Sequence, residues 1–130
     1  MEIMVGYDDS RVAKDALKLA MQHAQAFNAR LHIVTSKVGG TDVSQKEFNR
    51  VEKKLEYVES LCKDKKISCK THLLIRGLGA GEDLVQLAKD TNIDEIVIGI
   101  KRRSRVGKFM FGSTAQYVIL KATCPVLTIK

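Results

Sequence analysis

Short apolar runs and stretches of helical spacing take turns along this chain, and that alternation limits its fold more than any other feature. Residues 2–6, EIMVG, form an apolar run ending in Tyr7-Asp8-Asp9-Ser10, which reads as a strand, a turn and a helix cap. From Val12 to Phe27 the apolar positions include 13, 16, 17, 20, 24 and 27, the spacing of one helical face. LHIVTS at 31–36 reads as a second strand, and KVGGTDV at 37–43 as a loop with a Gly-Gly break. A second helix is expected from Ser44 to about Lys65, with Phe48, Val51, Leu55, Val58, Leu61 and Cys62 on one face. Ser44 and Glu47 have the spacing of a capping box.

ISCKTHLLI at 67–75 predicts a third strand, where Ile67, Cys69 and Thr71 alternate with Ser68, Lys70 and His72. One solvated face is expected there, as at a sheet edge. GLGAG at 77–81 reads as a turn leading into a helix from about Glu82 to Thr91. EIVIG at 95–99 is almost wholly apolar, as in a central strand covered on both faces. A helix from about Ser113 to Lys121 follows, and Pro125 opens a last strand, PVLTI. The order β-α-β-α-β-α-β-loop-α-β specifies a mostly parallel sheet with right-handed crossovers. The expected fold is α/β, in three α/β/α layers around five parallel strands in the order 3-2-1-4-5, as a single domain over residues 1–130.

The net charge of +7 is localised. Residues 1–98 carry fifteen Lys/Arg and fifteen Asp/Glu, whereas residues 99–130 carry seven Lys/Arg and no acid. A neutral body with one basic segment suggests a local anion site rather than general attraction to polyanions. The three cysteines, Cys62, Cys69 and Cys124, match no CxxC pair and no zinc spacing, and are expected as reduced thiols. Glu2, Asp8 and Asp9 interrupt any leader-like apolar stretch, and no run approaches the ~18 apolar residues of a membrane span. A cytoplasmic protein without membrane contact is expected.

Ligands of open parallel sheets bind beyond the carboxyl ends of the strands, where strand order reverses. In the order 3-2-1-4-5 that switch lies between the first and fourth strands, at Tyr7-Asp8-Asp9 and from Gly99 onward. The segment GIKRRSRVGKFMFGST at 99–114 therefore reaches the crevice. It is long beside common strand-to-helix loops of roughly 2–6 residues, and it ends in Gly112-Ser113-Thr114 at a helix start. A helix start offers N–H groups and partial positive charge to phosphate. Lys101, Arg102, Arg103, Arg105 and Lys108 add charge, and Ser113 and Thr114 add hydroxyl donors. The segment reads as a phosphate cradle, set against the plainer reading of a solvated basic loop.

These residues carry a resemblance. VGYDDS at 5–10, the interval from Gly99 to Gly112-Ser113, and the ending GSTAQYVILKATCPVLTIK resemble the single-domain universal stress proteins over the whole chain. The pattern resembled is Gly, two residues, Gly, nine residues, then Gly-Ser or Gly-Thr, with Arg102 at the middle glycine position. The resemblance implies a Rossmann-like fold that binds ATP or AMP and dimerises through its last strand. Adenine and ribose would then lie near Asp8 and Ser36. Ribose and phosphates would meet Gly99, the backbone at Lys101 and Arg102, and Gly112, Ser113 and Thr114. Arg102 would either add a charge-assisted phosphate contact or fill the site, with Arg105 supplying further charge. Mg²⁺ would arrive on the nucleotide, within reach of Asp8.

Competing chemistry has weaker signals. A phospho-receiver needs an acid at the end of the third strand, which here reads LLIRG. GLGAG comes too late for a dinucleotide fingerprint and leads into Glu82-Asp83, while Gly107-Lys108 lacks the upstream glycine of a Walker loop. His23, His32 and His72 have no ligand spacing and suit structural or surface roles. No nucleophilic triad can be assembled, so any ATP hydrolysis would be slow. The basic segment admits nucleic acid, but Phe109 and Phe111 are better placed to pack the loop down than to stack bases. The apolar last strand, 125–130, would sit at an edge and fits pairing of two copies about a two-fold axis. The expected function is a homodimeric ATP- or AMP-binding regulatory module with a stress-related role; the alternative is a protein of the same type that holds no ATP and works through protein contacts.

Overall fold

The computed structural model describes residues 1–37, 43–75, 78–101 and 112–130. Arg102, Arg103, Arg105, Lys108, Phe109 and Phe111 of the basic segment, most of the Gly-Gly loop and Gly77 lie outside the described residues. The elements in chain order are β1 (Glu2–Gly6), α1 (Arg11–Phe27), β2 (Arg30–Ser36), α2 (Gln45–Asp64), β3 (Cys69–Leu74), α3 (Ala80–Asp90), β4 (Glu95–Gly99), α4 (Ser113–Lys121) and β5 (Val126–Ile129). All pairings are parallel, and the sheet order is β3-β2-β1-β4-β5. The predicted fold class and strand order are thus the observed ones.

Strand alternation builds two cores. Ile3 and Val5 of β1, Leu31 and Ile33 of β2 and Val97 of β4 face α1 and α2, meeting Ala16, Leu17, Ala20, Val51, Leu55 and Val58. Met4, Val34, Ile96 and Ile98 turn to the other face and meet Leu84, Val85, Ala88 and Val118 of α3 and α4. Successive side chains point to opposite faces, so a strand flanked by helices must be apolar throughout. Met4, Ile3, Ile96 and Val97 are accordingly fully buried.

Caps fix the helix starts. Ser10 Oγ accepts the Ala13 N–H at 3.2 Å, and Ser44 Oγ accepts the Glu47 N–H at 3.1 Å. Helix α1 ends at Asn28, whose left-handed φ of 51° returns the chain toward β2. Phe27, expected on the apolar face, is instead exposed, its ring set edge-on to that of His23 at 5.7 Å.

Two further boundaries differ from expectation. Helix α3 begins at Ala80, with Gly79 as its cap, so GLGAG ends in the first two helical residues, Ala80 and Gly81. Strand β3 begins at Cys69, because the Ile67 N–H is taken by the Cys62 carbonyl at 2.8 Å in the turn closing α2. Strand β3 lies at the edge as predicted, but His72 does not face solvent freely. Its Nε2 lies 3.0 Å from Nδ1 of the buried His32, with the two rings stacked. No helix among the described residues is long and apolar enough to cross a membrane.

Candidate functional site

The carboxyl ends of β1, β2 and β4 open into one cleft. It encloses about 110 Å³ and is lined by Tyr7, Asp8, Val34, Ser36, Gly99 and Lys101 from the strand side. The starts of three helices close it, through Ser10 and Val12 of α1, Ala80 and Leu84 of α3, and Thr114 of α4. The cleft sits where strand order reverses, as topology requires.

Local hydrogen bonds set the turn after β1. The Tyr7 N–H donates to the Val34 carbonyl at 2.8 Å, and Thr35 Oγ1 donates to the Tyr7 carbonyl at 2.8 Å. Asp8 and Asp9 then diverge. Asp8 Oδ1 accepts the Ser10 N–H at 2.8 Å, closing an Asx turn, while its Oδ2 accepts from Lys101 Nζ at 2.7 Å across the cleft. Burial pushes the Asp8 carboxyl up, but the hydrogen bonds from Lys101 and Ser10 outweigh it and hold the group below the usual carboxylate range. Asp9 turns outward and pairs with Arg50 and Lys54 of α2. Burial and the charges of Asp9 and Asp8 push the Tyr7 phenol up, so it remains protonated and able to donate.

The three helix starts differ in charge. Helix α3 carries Glu82 and Asp83 in its first turn, which offset its N-terminal dipole. Helices α1 and α4 have no acid there. Helix α1 is capped by its own Ser10, whereas the cap of α4 is Gly112, with no side-chain cap bond. Of the three, α4 therefore presents the most favourable dipole end to an anion. Thr114 lines the cleft, Ser113 is exposed at the first position of α4, and Gly112 is buried just before it.

Gly99 has a structural reason of its own. A Cβ there would lie 2.8 Å from the Val12 carbonyl oxygen, so its bareness lets α1 sit against the end of β4. Gly112 has φ −63° and ψ 156°, values open to any residue. Its backbone conformation therefore makes no demand for glycine.

Asp8, Ser36, Gly99, Lys101 and Thr114 are brought together, with Gly112 and Ser113 beginning the helix that supplies Thr114. Sequence reasoning missed Asp83. It is fully buried, and Ser36 Oγ donates to its Oδ2 at 2.5 Å. The acid pair Glu82-Asp83 was visible in the sequence, but the inward turn of its second member depends on where α3 begins. No group of three or more potential metal ligands occurs among the described residues.

Comparison with known proteins gives concordant results. A sequence model of the universal stress protein family matches residues 1–130. A Thermus aquaticus protein, the universal stress protein in the QAH/OAS sulfhydrylase 3′ region, is 31% identical over 98% of this chain and 97% of its own. A universal stress protein structure from Archaeoglobus fulgidus is 34% identical, with a TM-score of 0.88 over 100% of this chain and 98% of its own. A structure of the universal stress protein from Archaeoglobus fulgidus in complex with dAMP is 31% identical, with a TM-score of 0.84 over 100% of this chain and 98% of its own.

Proposed function

This chain belongs to the universal stress protein family, and on that premise we propose that it is a homodimeric regulatory module holding ATP or AMP in the cleft between β1 and β4. The observation that carries the reading is the α4 start: a helix N-terminus without acid, entering the same cleft as Lys101 and the ends of three strands. Its N–H groups, with Ser113 and Thr114, would take the phosphates, and Gly112 would leave room for them. Lys101, with Arg102 and Arg105 of the same segment, would add positive charge. Ribose and adenine would extend past Gly99 and Asp8 toward Ser36. Mg²⁺, where it accompanies the nucleotide, would enter as its counter-ion near Asp8. The dAMP complex of the similar Archaeoglobus fulgidus protein supports an adenine nucleotide as the ligand class.

The homodimer is proposed through residues 125–130. Strand β5 is an edge strand, so its outer backbone groups are open to a partner strand. Pairing two such edges would cover that backbone.

Calorimetric titration of ATP with Mg²⁺ into the purified protein tests the nucleotide reading. Saturable binding at one site per chain is expected, with affinity lowered at least ~10-fold by Gly112→Val, which puts a side chain in the phosphate path. A folded protein that takes up no nucleotide would sink the reading and turn attention to protein contacts.

A further inference from the structure

We propose that Ser36 and Asp83 select the base of the bound nucleotide by demanding an N–H donor from it, so that the 6-amino group of adenine is read directly. This rests on the nucleotide reading above. A serine hydroxyl has one hydrogen and two lone pairs. Here the hydrogen is committed to Asp83 Oδ2 at 2.5 Å. Asp83 is 0% exposed and lies in the first turn of α3. The Ser36 oxygen therefore has only lone pairs left for the cleft it lines. Whatever occupies that point must bring a hydrogen.

Sheet order says which part of a nucleotide arrives there. Phosphates at the start of α4 lie beyond β4, whereas Ser36 ends β2 on the far side of β1. Adjacent strands are ~4.8 Å apart, so two strand spacings, roughly 10 Å, separate the Gly99 and Ser36 ends. That distance suits a base whose phosphates are held at the other end. An exocyclic amine meets the waiting lone pair. A base carrying C–H at the same position leaves a half-buried acceptor without a partner, and such losses reduce affinity steeply.

The test compares AMP with purine riboside 5′-monophosphate, which lacks only the 6-amino group, by calorimetry. The wild-type chain is expected to favour AMP by roughly tenfold. Ser36→Ala is expected to bring the ratio close to one. Asp83→Asn is expected to shrink it too, since an amide can donate to Ser36 and release its hydrogen toward the ligand; if that variant does not fold, Ser36→Ala decides alone. Equal affinity of the wild type for both nucleotides overturns this inference and leaves the nucleotide reading standing. A preference that survives in Ser36→Ala also overturns it. Binding of neither nucleotide overturns the underlying reading and this inference with it.

Discussion

Lys101 Nζ lies 2.7 Å from Asp8 Oδ2, although 93 residues separate the two in the chain. The first cation of the basic segment thus already has an anion, and a phosphate entering the cleft must compete with Asp8 for it.

Asp8→Asn is expected to lower stability at pH 7 by less than ~1 kcal/mol, because both partners are about half exposed and water screens the pair. The folded carboxyl titrates below its unfolded value. Its contribution is therefore complete above the unfolded value of ~3.9 and fades as pH falls through the lower folded one. Urea unfolding of both proteins at neutral pH and near pH ~2 checks this. The gap should close in acid, and a gap of constant size would assign it to something other than ionisation.

The two glycines framing the basic segment should respond differently. In Gly99→Ala the new methyl would lie 2.8 Å from the Val12 carbonyl, forcing α1 or β4 to shift. A loss of ~1–3 kcal/mol is expected. Gly112→Ala introduces no backbone strain, since φ is −63°. Its expected change in stability is under ~1 kcal/mol, with the effect falling on nucleotide affinity instead. Thermal unfolding of both variants separates the cases; equal losses would mean that Gly112 has a packing role too.

Burial, then the neighbouring His32 and Lys70, depress the His72 imidazole from its ordinary value of 6.5 to about 4. Between those values the unfolded chain binds a proton that the folded chain refuses. Stability should therefore fall as pH drops through this window and level off, for this group, below it. His72→Gln should flatten that part of the profile when urea midpoints are followed across the same window. An unchanged slope would place the proton uptake elsewhere.

Backbone direction in β5 gives a way to test the dimer. The carbonyls of Pro125 and Ile129 accept from Ile96 and Ile100 of the β4 side, at 3.0 and 2.7 Å. The intervening Val126 and Thr128 therefore turn their backbone groups to the open edge. Thr128→Pro removes an outward N–H and leaves the β4 ladder in place. Sedimentation should report a dimer for the wild type and a folded monomer for the variant. A dimer that persists in Thr128→Pro would assign its interface to another surface.

The strand and helix order was legible because each strand near the middle of the sheet is apolar on both faces, and each helix carries its apolar residues at helical spacing. EIMVG and EIVIG leave little alternative to buried parallel strands, and the serines at 10 and 44 mark helix starts in the letters themselves. Contacts made only by tertiary placement were not legible. His32 and His72 meet because β2 and β3 pair with His32 opposite Lys70 and His72 opposite Val34, a register that no spacing within either strand encodes. Asp83 meets Ser36 because α3 begins at Ala80, ahead of the expected Glu82. Gly99 was read as a ligand contact and does line the cleft, but that a Cβ there would also lie 2.8 Å from the Val12 carbonyl oxygen is a demand of packing that only the folded backbone reveals.

The cleft also runs along a seam. Strands β3, β2 and β1 come from the first 75 residues, and β4 and β5 with α3 and α4 come from residue 78 onward. Tyr7, Asp8 and Ser36 stand on one bank, while Ala80, Gly99, Lys101 and Thr114 stand on the other. A small molecule seated between them would be glue joining two lengths of polypeptide. Two separately produced pieces, divided ahead of α3, would then report that molecule simply by coming together.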